Sequence, residues 1–282
     1  DLLRPLGRGS IAEVWLARLP GDPGRPVALK RALPHLRATP AIAGALRTEA
    51  DVLAAVASPH VVRLVARGEE ADGPWLALEY IEGVSLAGLL DVQARGGPGL
   101  PASAVQRVGL DLLAGLEAIH EAGFLHGDVT PGNLLVGTDG AARLIDLNLA
   151  APVGAPSTGP WRGTAAYTAP ERWEPGPHRV ASEVFAAAVA LWEALRGERL
   201  FRAEGVLATR QRILDGDAPR VDHRRPELTP WADVLAAALA PDPRDRPAST
   251  RALRDAWSRG PTAEPREAMA RRIAAVRRGP SG

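Results

Sequence analysis

His126-Gly127-Asp128-Val129-Thr130-Pro131-Gly132-Asn133 runs straight into the apolar stretch Leu134-Leu135-Val136. Thirteen residues after Asn133 comes Leu144-Ile145-Asp146-Leu147-Asn148. Two carboxylates and one amide thus each stand beside a short apolar run of β character. One carboxylate can take the proton of an attacking hydroxyl, while the amide and the other carboxylate hold a hard metal ion through oxygen. This spacing suits Mg²⁺-dependent phosphoryl transfer.

Working outward, the next informative residue is Lys30, in Val27-Ala28-Leu29-Lys30. It is the only lysine; all the other basic residues are arginine. The chain also has only two asparagines, Asn133 and Asn148. Abundant Ala, Gly, Arg and Pro beside so little Lys and Asn fits GC-rich coding. Retention of one Lys then marks a place where a compact ammonium fits and a planar guanidinium does not, unless it is a chance survivor. Glu49 falls inside a helical pattern and can hold that ammonium over phosphates; a solvated helix face accounts for it equally well. Gly7-Arg8-Gly9-Ser10-Ile11-Ala12-Glu13-Val14 lies between two strand-like stretches. Its glycines let backbone N–H groups approach phosphate oxygens. Alone, the stretch also fits an ordinary hairpin turn, because Ala12 occupies the place of a third glycine.

The 282 residues carry 34 Lys plus Arg against 33 Asp plus Glu, so the net charge is +1. That balance argues against nucleic acid as a partner, since a dedicated binder shows a basic excess. With no cysteine, disulfides, thiolate metal sites and a Cys nucleophile are excluded. No apolar run reaches 18 residues, so no membrane span is expected in this chain. The only methionine is Met269, which points to an excised domain. Its expected setting is cytoplasmic, alone or as the cytosolic part of a longer or membrane-anchored protein.

Along the first 80 residues, 11–18, 27–32, 61–66 and 75–80 are strand-like and 40–57 has helical periodicity. A turn is expected at Pro20-Gly21-Asp22-Pro23-Gly24. From about residue 84 the chain turns helical, with helices expected over 84–92, 101–121, 180–196, 205–215, 230–240 and 248–258. After Gly260 a tail with five Arg and two Glu is expected to leave the domain as a helix or linker.

These motifs, in this order, resemble a bacterial eukaryotic-like Ser/Thr protein kinase domain over almost all of 1–258. Gly7, Gly9 and Val14 resemble its Gly-rich loop. Val27-Ala28-Leu29-Lys30 resembles the V-A-I-K strand, with Glu49 as the helix carboxylate that pairs with its Lys. Leu78 resembles the gatekeeper, followed by the hinge Glu79-Tyr80-Ile81. His126-Gly127-Asp128 stands for H-R-D and Asp146-Leu147-Asn148 for D-F-G. Gly163-Thr164-Ala165-Ala166-Tyr167-Thr168-Ala169-Pro170-Glu171 matches G-T-x-x-Y-x-A-P-E, and Arg246 resembles the Arg that pairs with its Glu.

The resemblance implies an α+β, two-lobed fold: a small β-rich N-lobe (1–78) with one main helix, a hinge (79–83) and a larger helical C-lobe (84–260), with 261–282 as an Arg-rich tail or linker. It implies ATP and Mg²⁺ as cofactors and a protein substrate. Asp128 would be the base, with Lys30, Glu49 and Thr164 as its catalytic companions and Asn133 and Asp146 on the metal. Adenine would meet the backbone of Glu79 and Ile81, between Val14, Ala28 and Leu135. Four positions depart from the pattern. Gly127 replaces the Arg that reads a phosphorylated loop, and Thr130 replaces the catalytic-loop Lys. Asn148 replaces a Gly whose positive φ Asn tolerates, and Glu183 replaces the Asp that braces the catalytic loop. They leave a pseudokinase scaffold open, and His126-Gly127-Asp128 also resembles small-molecule phosphotransferases such as aminoglycoside kinases. The loop 150–161 is expected to order without phosphate, through Trp161 and Thr164. Its only hydroxyls are Ser157 and Thr158, and Pro152, Pro156 and Pro160 restrict its backbone.

Overall fold

Short apolar runs, Val14-Trp15-Leu16-Ala17 and Val27-Ala28-Leu29, stand on either side of Pro20-Gly21, and the segment folds as a hairpin around them. Strand β2 (Ala12–Leu19) pairs antiparallel with β3 (Asp22–Ala32), and Gly21 supplies the left-handed φ of 90° that the tight turn requires. The computed structural model describes residues 1–71, 73–97, 99–157 and 162–278. β1 (Leu2–Arg8), β4 (Leu64–Glu70) and β5 (Gly73–Glu79) complete a five-stranded antiparallel sheet in the order β1-β2-β3-β5-β4. Lys30 lies opposite Val14 on one side and Leu76 on the other. Ala28, two residues earlier, therefore shares its face.

Helix α1 (Pro40–Ala55) starts with Pro at its first turn, where the missing N–H costs nothing. Ile42, Leu46, Ala50 and Leu53 form its buried stripe, and Glu49 is buried within it. A carboxylate at that position needs a cationic partner.

A short β6 (Gly83–Ser85) leads into the larger part: α2 (Leu86–Ala94), α3 (Ala102–Glu121), α4 (Val180–Arg196), α5 (Gly205–Leu214), α6 (Thr229–Ala238) and α7 (Thr250–Trp257). α4 is buried continuously from Ser182 to Leu195, as a helix apolar on all sides must be. Gly197, at φ 71°, ends it with a left-handed cap. Two short pairings carry the chemistry: β7 (Phe124–Leu125) with β10 (Ala151–Pro152), and β8 (Leu134–Gly137) with β9 (Ala142–Leu144), the latter joined to β6.

The Arg-rich tail does not leave the domain. Residues Arg266–Arg278 form α8, whose Met269 and Ile273 are fully buried against the β6–β8 region. Arg277 pairs with Glu82, and the Glu264 N–H donates to the Ser103 carbonyl at 2.8 Å. Two apolar residues one turn apart are enough to dock a helix whose other faces carry arginine.

Candidate active site

The thirteen-residue spacing between Asn133 and Asp146 is the length of one hairpin. Leu134 pairs with Leu144 across β8 and β9, and the Ile145 N–H donates to the Asn133 carbonyl at 2.9 Å. Asn133 and Asp146 are thus carried at the same open end. Asp146 sits there at φ 63°, a left-handed conformation that a non-glycine residue adopts at a cost. The tolerance of Asn148 for positive φ is not used; that conformation falls on Asp146 instead.

The strand Lys reaches this end from the other lobe. Lys30 Nζ donates to Glu49 Oε1 and Oε2 at 2.8 and 2.6 Å and to Asp146 Oδ1 at 2.6 Å. Glu49 is therefore the buried partner of Lys30, and the solvated-face account of it is excluded. Burial lowers the Lys30 pKa, but the charges of Glu49 and Asp146 outweigh it and the net shift is upward. Burial raises Asp146, but the nearby Lys30 ammonium prevails and holds it below its ordinary range. Glu49 is pushed up, by burial first, with Lys30 opposing. The Leu147 N–H also donates to Glu49 Oε1 at 3.2 Å, and its side chain is fully buried, so Leu fills the apolar place in Asp-Leu-Asn.

Asp128 is held from several directions. Its Oδ1 accepts the backbone N–H of Thr164 at 3.0 Å, and its Oδ2 accepts Asn133 Nδ2 at 3.1 Å. Its own N–H donates to His126 Nδ1 at 3.3 Å, which leaves the proton of buried His126 on Nε2, 3.1 Å from the Ile145 carbonyl. Thr164 thus enters the site through its backbone.

Glu183 takes the brace position with its extra methylene accommodated. Its Oε1 accepts the Gly127 N–H at 2.7 Å and its Oε2 meets His120 Nε2 at 2.7 Å. Burial raises its pKa, but the bonds and charges of His120, His126 and Gly127 reverse this and hold it low. Gly127 is at φ 85°, and a β-carbon there would run into the Leu149 carbonyl. The backbone itself calls for glycine at this position. Neither His120 as the second partner of Glu183 nor the constraint on Gly127 has a signal in the sequence.

Between the lobes lies a cavity of about 390 Å³ whose lining includes Gly9, Val14, Lys30, Asp128, Asp146 and Thr164. Gly7 pairs with Val14 across β1 and β2. Ala28 lies opposite Leu78, and Leu135 opposite Ser85. Val14, Ala28 and Leu135 are all part-exposed, whereas Leu134 and Val136 are buried. Among the described residues the Ile81 N–H has no hydrogen-bond partner, while the Glu79 N–H donates to the Arg63 carbonyl. Below the cavity, Tyr167 donates its hydroxyl to buried Glu193 at 2.7 Å, which ties the 163–171 segment to α4. Arg246 grips Glu171 through two bonds of 2.8 and 2.9 Å, as the motif order leads one to expect.

Among the described residues, no cluster of three or more His, Cys, Asp or Glu could hold a metal. Mg²⁺ takes one or two protein oxygens and completes its shell with phosphates and water. Asp146, with its side chain 39% exposed and only Oδ1 on Lys30, and the amide oxygen of Asn133 fit this donor set.

A five-stranded antiparallel lobe over a helical one, with a Lys–Glu–Asp cluster between them, defines a protein-kinase-type phosphotransferase fold. The family model of the protein kinase domain matches residues 1–258, and the chain belongs to that family. The tyrosine-protein kinase MasK of Myxococcus xanthus (strain DK1622) is 32% identical over 90% of this chain and 42% of its own length. The serine/threonine-protein kinases PknL and PknF of Mycobacterium tuberculosis (strain H37Rv) are 35% and 31% identical over 81% and 87% of this chain. This chain covers 57% and 52% of their respective lengths, so it spans about half of the curated relatives it matches. No described helix is long and apolar enough to cross a membrane.

Proposed function

We propose that this chain transfers the γ-phosphoryl group of ATP to Ser or Thr hydroxyls of a protein substrate, with Mg²⁺. The observation that carries the reading is the Lys30 ammonium on both Glu49 and Asp146, in the same cleft as Asp128. Lys30 orients the α- and β-phosphates, and Glu49 fixes the Lys. Gly7 and Gly9 let the loop backbone approach the phosphates, and adenine meets Glu79 and Ile81 between Val14, Ala28 and Leu135. Asp146 and Asn133 would hold Mg²⁺, which when bound neutralises charge on the phosphates. Asp128 accepts the hydroxyl proton, and its bonds from Asn133 and Thr164 aim it.

The departures support turnover more than a scaffold role, because Glu183 still braces Gly127 and Leu147 still fills its buried place. The anchored 163–171 segment and the Arg246–Glu171 pair support a protein acceptor over a small molecule. The test is labelled ATP with Mg²⁺ and a generic protein or an aminoglycoside, followed by phosphoamino-acid analysis. Label on Ser and Thr of protein is expected. Label on Tyr alone, or on the aminoglycoside alone, would contradict the assignment.

A further inference from the structure

The cleft is short of free positive charge. Its lining holds the carboxylates of Asp128 and Asp146 and, among the described residues, only two cations, Lys30 and Arg162. Lys30 is buried and engaged with Glu49 and Asp146. Thr130, two residues beyond the base, is buried, and its hydroxyl accepts the Asn133 N–H at 3.3 Å. It brings no charge to the phosphates. Arg162 is exposed, and among the described residues it makes no hydrogen bond or ion pair. It stands two residues before Thr164, whose N–H is bonded to Asp128. Arg162 thus lines the same cleft as Asp128, with no partner for its side chain among the described residues.

We propose that Arg162 is a further catalytic residue, one that contacts the transferred phosphoryl group. In the step it serves, the acceptor oxygen bonds to the γ-phosphorus as the bond to the β,γ-bridging oxygen breaks. ADP leaves with that electron pair, and the hydroxyl proton passes to Asp128. Negative charge on the equatorial oxygens is then met by a planar fork of N–H donors. The inference rests on the proposed phosphoryl transfer and adds to it the group that recognises the γ-phosphate. Arg162 also borders a second cavity with Arg172, Arg179 and Glu183, so a purely structural role in that loop is the alternative to separate.

The experiment compares wild type with Arg162→Gln, each with Mg²⁺, for binding of ADP and of the non-hydrolysable β,γ-imido analogue of ATP. Arg162→Gln should weaken the analogue by about tenfold or more and leave ADP within about twofold, because only the analogue carries a γ-phosphate. In turnover, kcat should fall by more than about thirtyfold with KM for the protein acceptor little changed. Equal loss of both ligands, or unchanged preference for the analogue, would overturn the proposal and leave the phosphotransferase reading standing. A wild type that binds neither ligand would overturn both.

Discussion

Lys30 is where composition and geometry meet. A chain that otherwise uses only arginine keeps one lysine, and that side chain is buried among three carboxylate oxygens at 2.6–2.8 Å. A guanidinium is wider and planar, and cannot meet all three from the same strand position. Lys30→Arg should therefore lower ATP turnover by at least about tenfold, about 1.4 kcal/mol of transition-state stabilisation. Steady-state kinetics decide this, and wild-type turnover would show that the lysine is an accident of composition. Glu183 gives a pH prediction. Its pKa in the folded protein is held below the ordinary 4.5. A depressed carboxylate contributes stability that is fully present above 4.5 and is lost as pH falls through the folded value. Denaturant unfolding at pH 7 and below pH 4 should show wild type losing more stability than Glu183→Gln; parallel losses would contradict it. At this scale the sequence shows the chemistry-bearing residues, because each stands in a fixed spacing and two of them, Lys30 and Asn133, are rare types in this chain. It hides Gly127 and His120, whose roles depend on the Leu149 carbonyl and on Glu183, contacts made only by the fold.

Among the elements, α4 spans 180–196 as its Ala- and Leu-rich composition predicts, because an apolar helix of that length has no competing structure. β1 is not legible. Leu2–Arg8 is almost wholly exposed, contains Pro5 and lies at the edge of the sheet, so it carries no alternation and is held through β2. The loop after Asp146 is ordered by means the sequence does not reveal. β10 pairs with β7, Gly154 donates to the His178 carbonyl and His178 to that of Ala155, both at 2.8 Å, and Ser157 donates to Gly176 at 2.9 Å. Thr158, Pro160 and Trp161 lie outside the described residues, so the expected packing around Trp161 has no counterpart to report. Backbone pairing of this kind needs no phosphate, and Gly127 offers none a cation. Ser157→Ala/Thr158→Ala and phosphatase-treated wild type should both keep activity within about threefold; a loss above about tenfold, about 1.4 kcal/mol, would show phosphate control. α8 is a further element that composition conceals, since only two of its residues, Met269 and Ile273, are fully buried. Ending the chain at Gly260 exposes the sites of Met269 and Ile273, worth about 3 kcal/mol together. The melting temperature should drop by roughly 5–10 °C, and an unchanged melting curve would mean that α8 contributes nothing to stability.

In the whole molecule, the lobes are latched through the site itself. Lys30 on β3 meets Asp146, Glu49 on α1 holds the Leu147 N–H, and Val62 and His60 exchange backbone bonds with Leu144 at 2.9 Å. Motif order predicts the two lobes and their sequence; the latch depends on distances no spacing encodes. An assembled Lys–Glu–Asp cluster beside a bonded Asp128 should be competent for chemistry as it stands. The most direct measurement is a single-turnover experiment. The protein is loaded with labelled ATP and Mg²⁺, mixed with a protein acceptor, and followed for wild type and Asp128→Asn, with nucleotide binding measured on both. Wild type should transfer label to protein, and Asp128→Asn should transfer it about a hundredfold more slowly or worse while binding ATP normally. Equal rates in the two proteins, or a wild type that binds ATP and transfers nothing, would contradict the account.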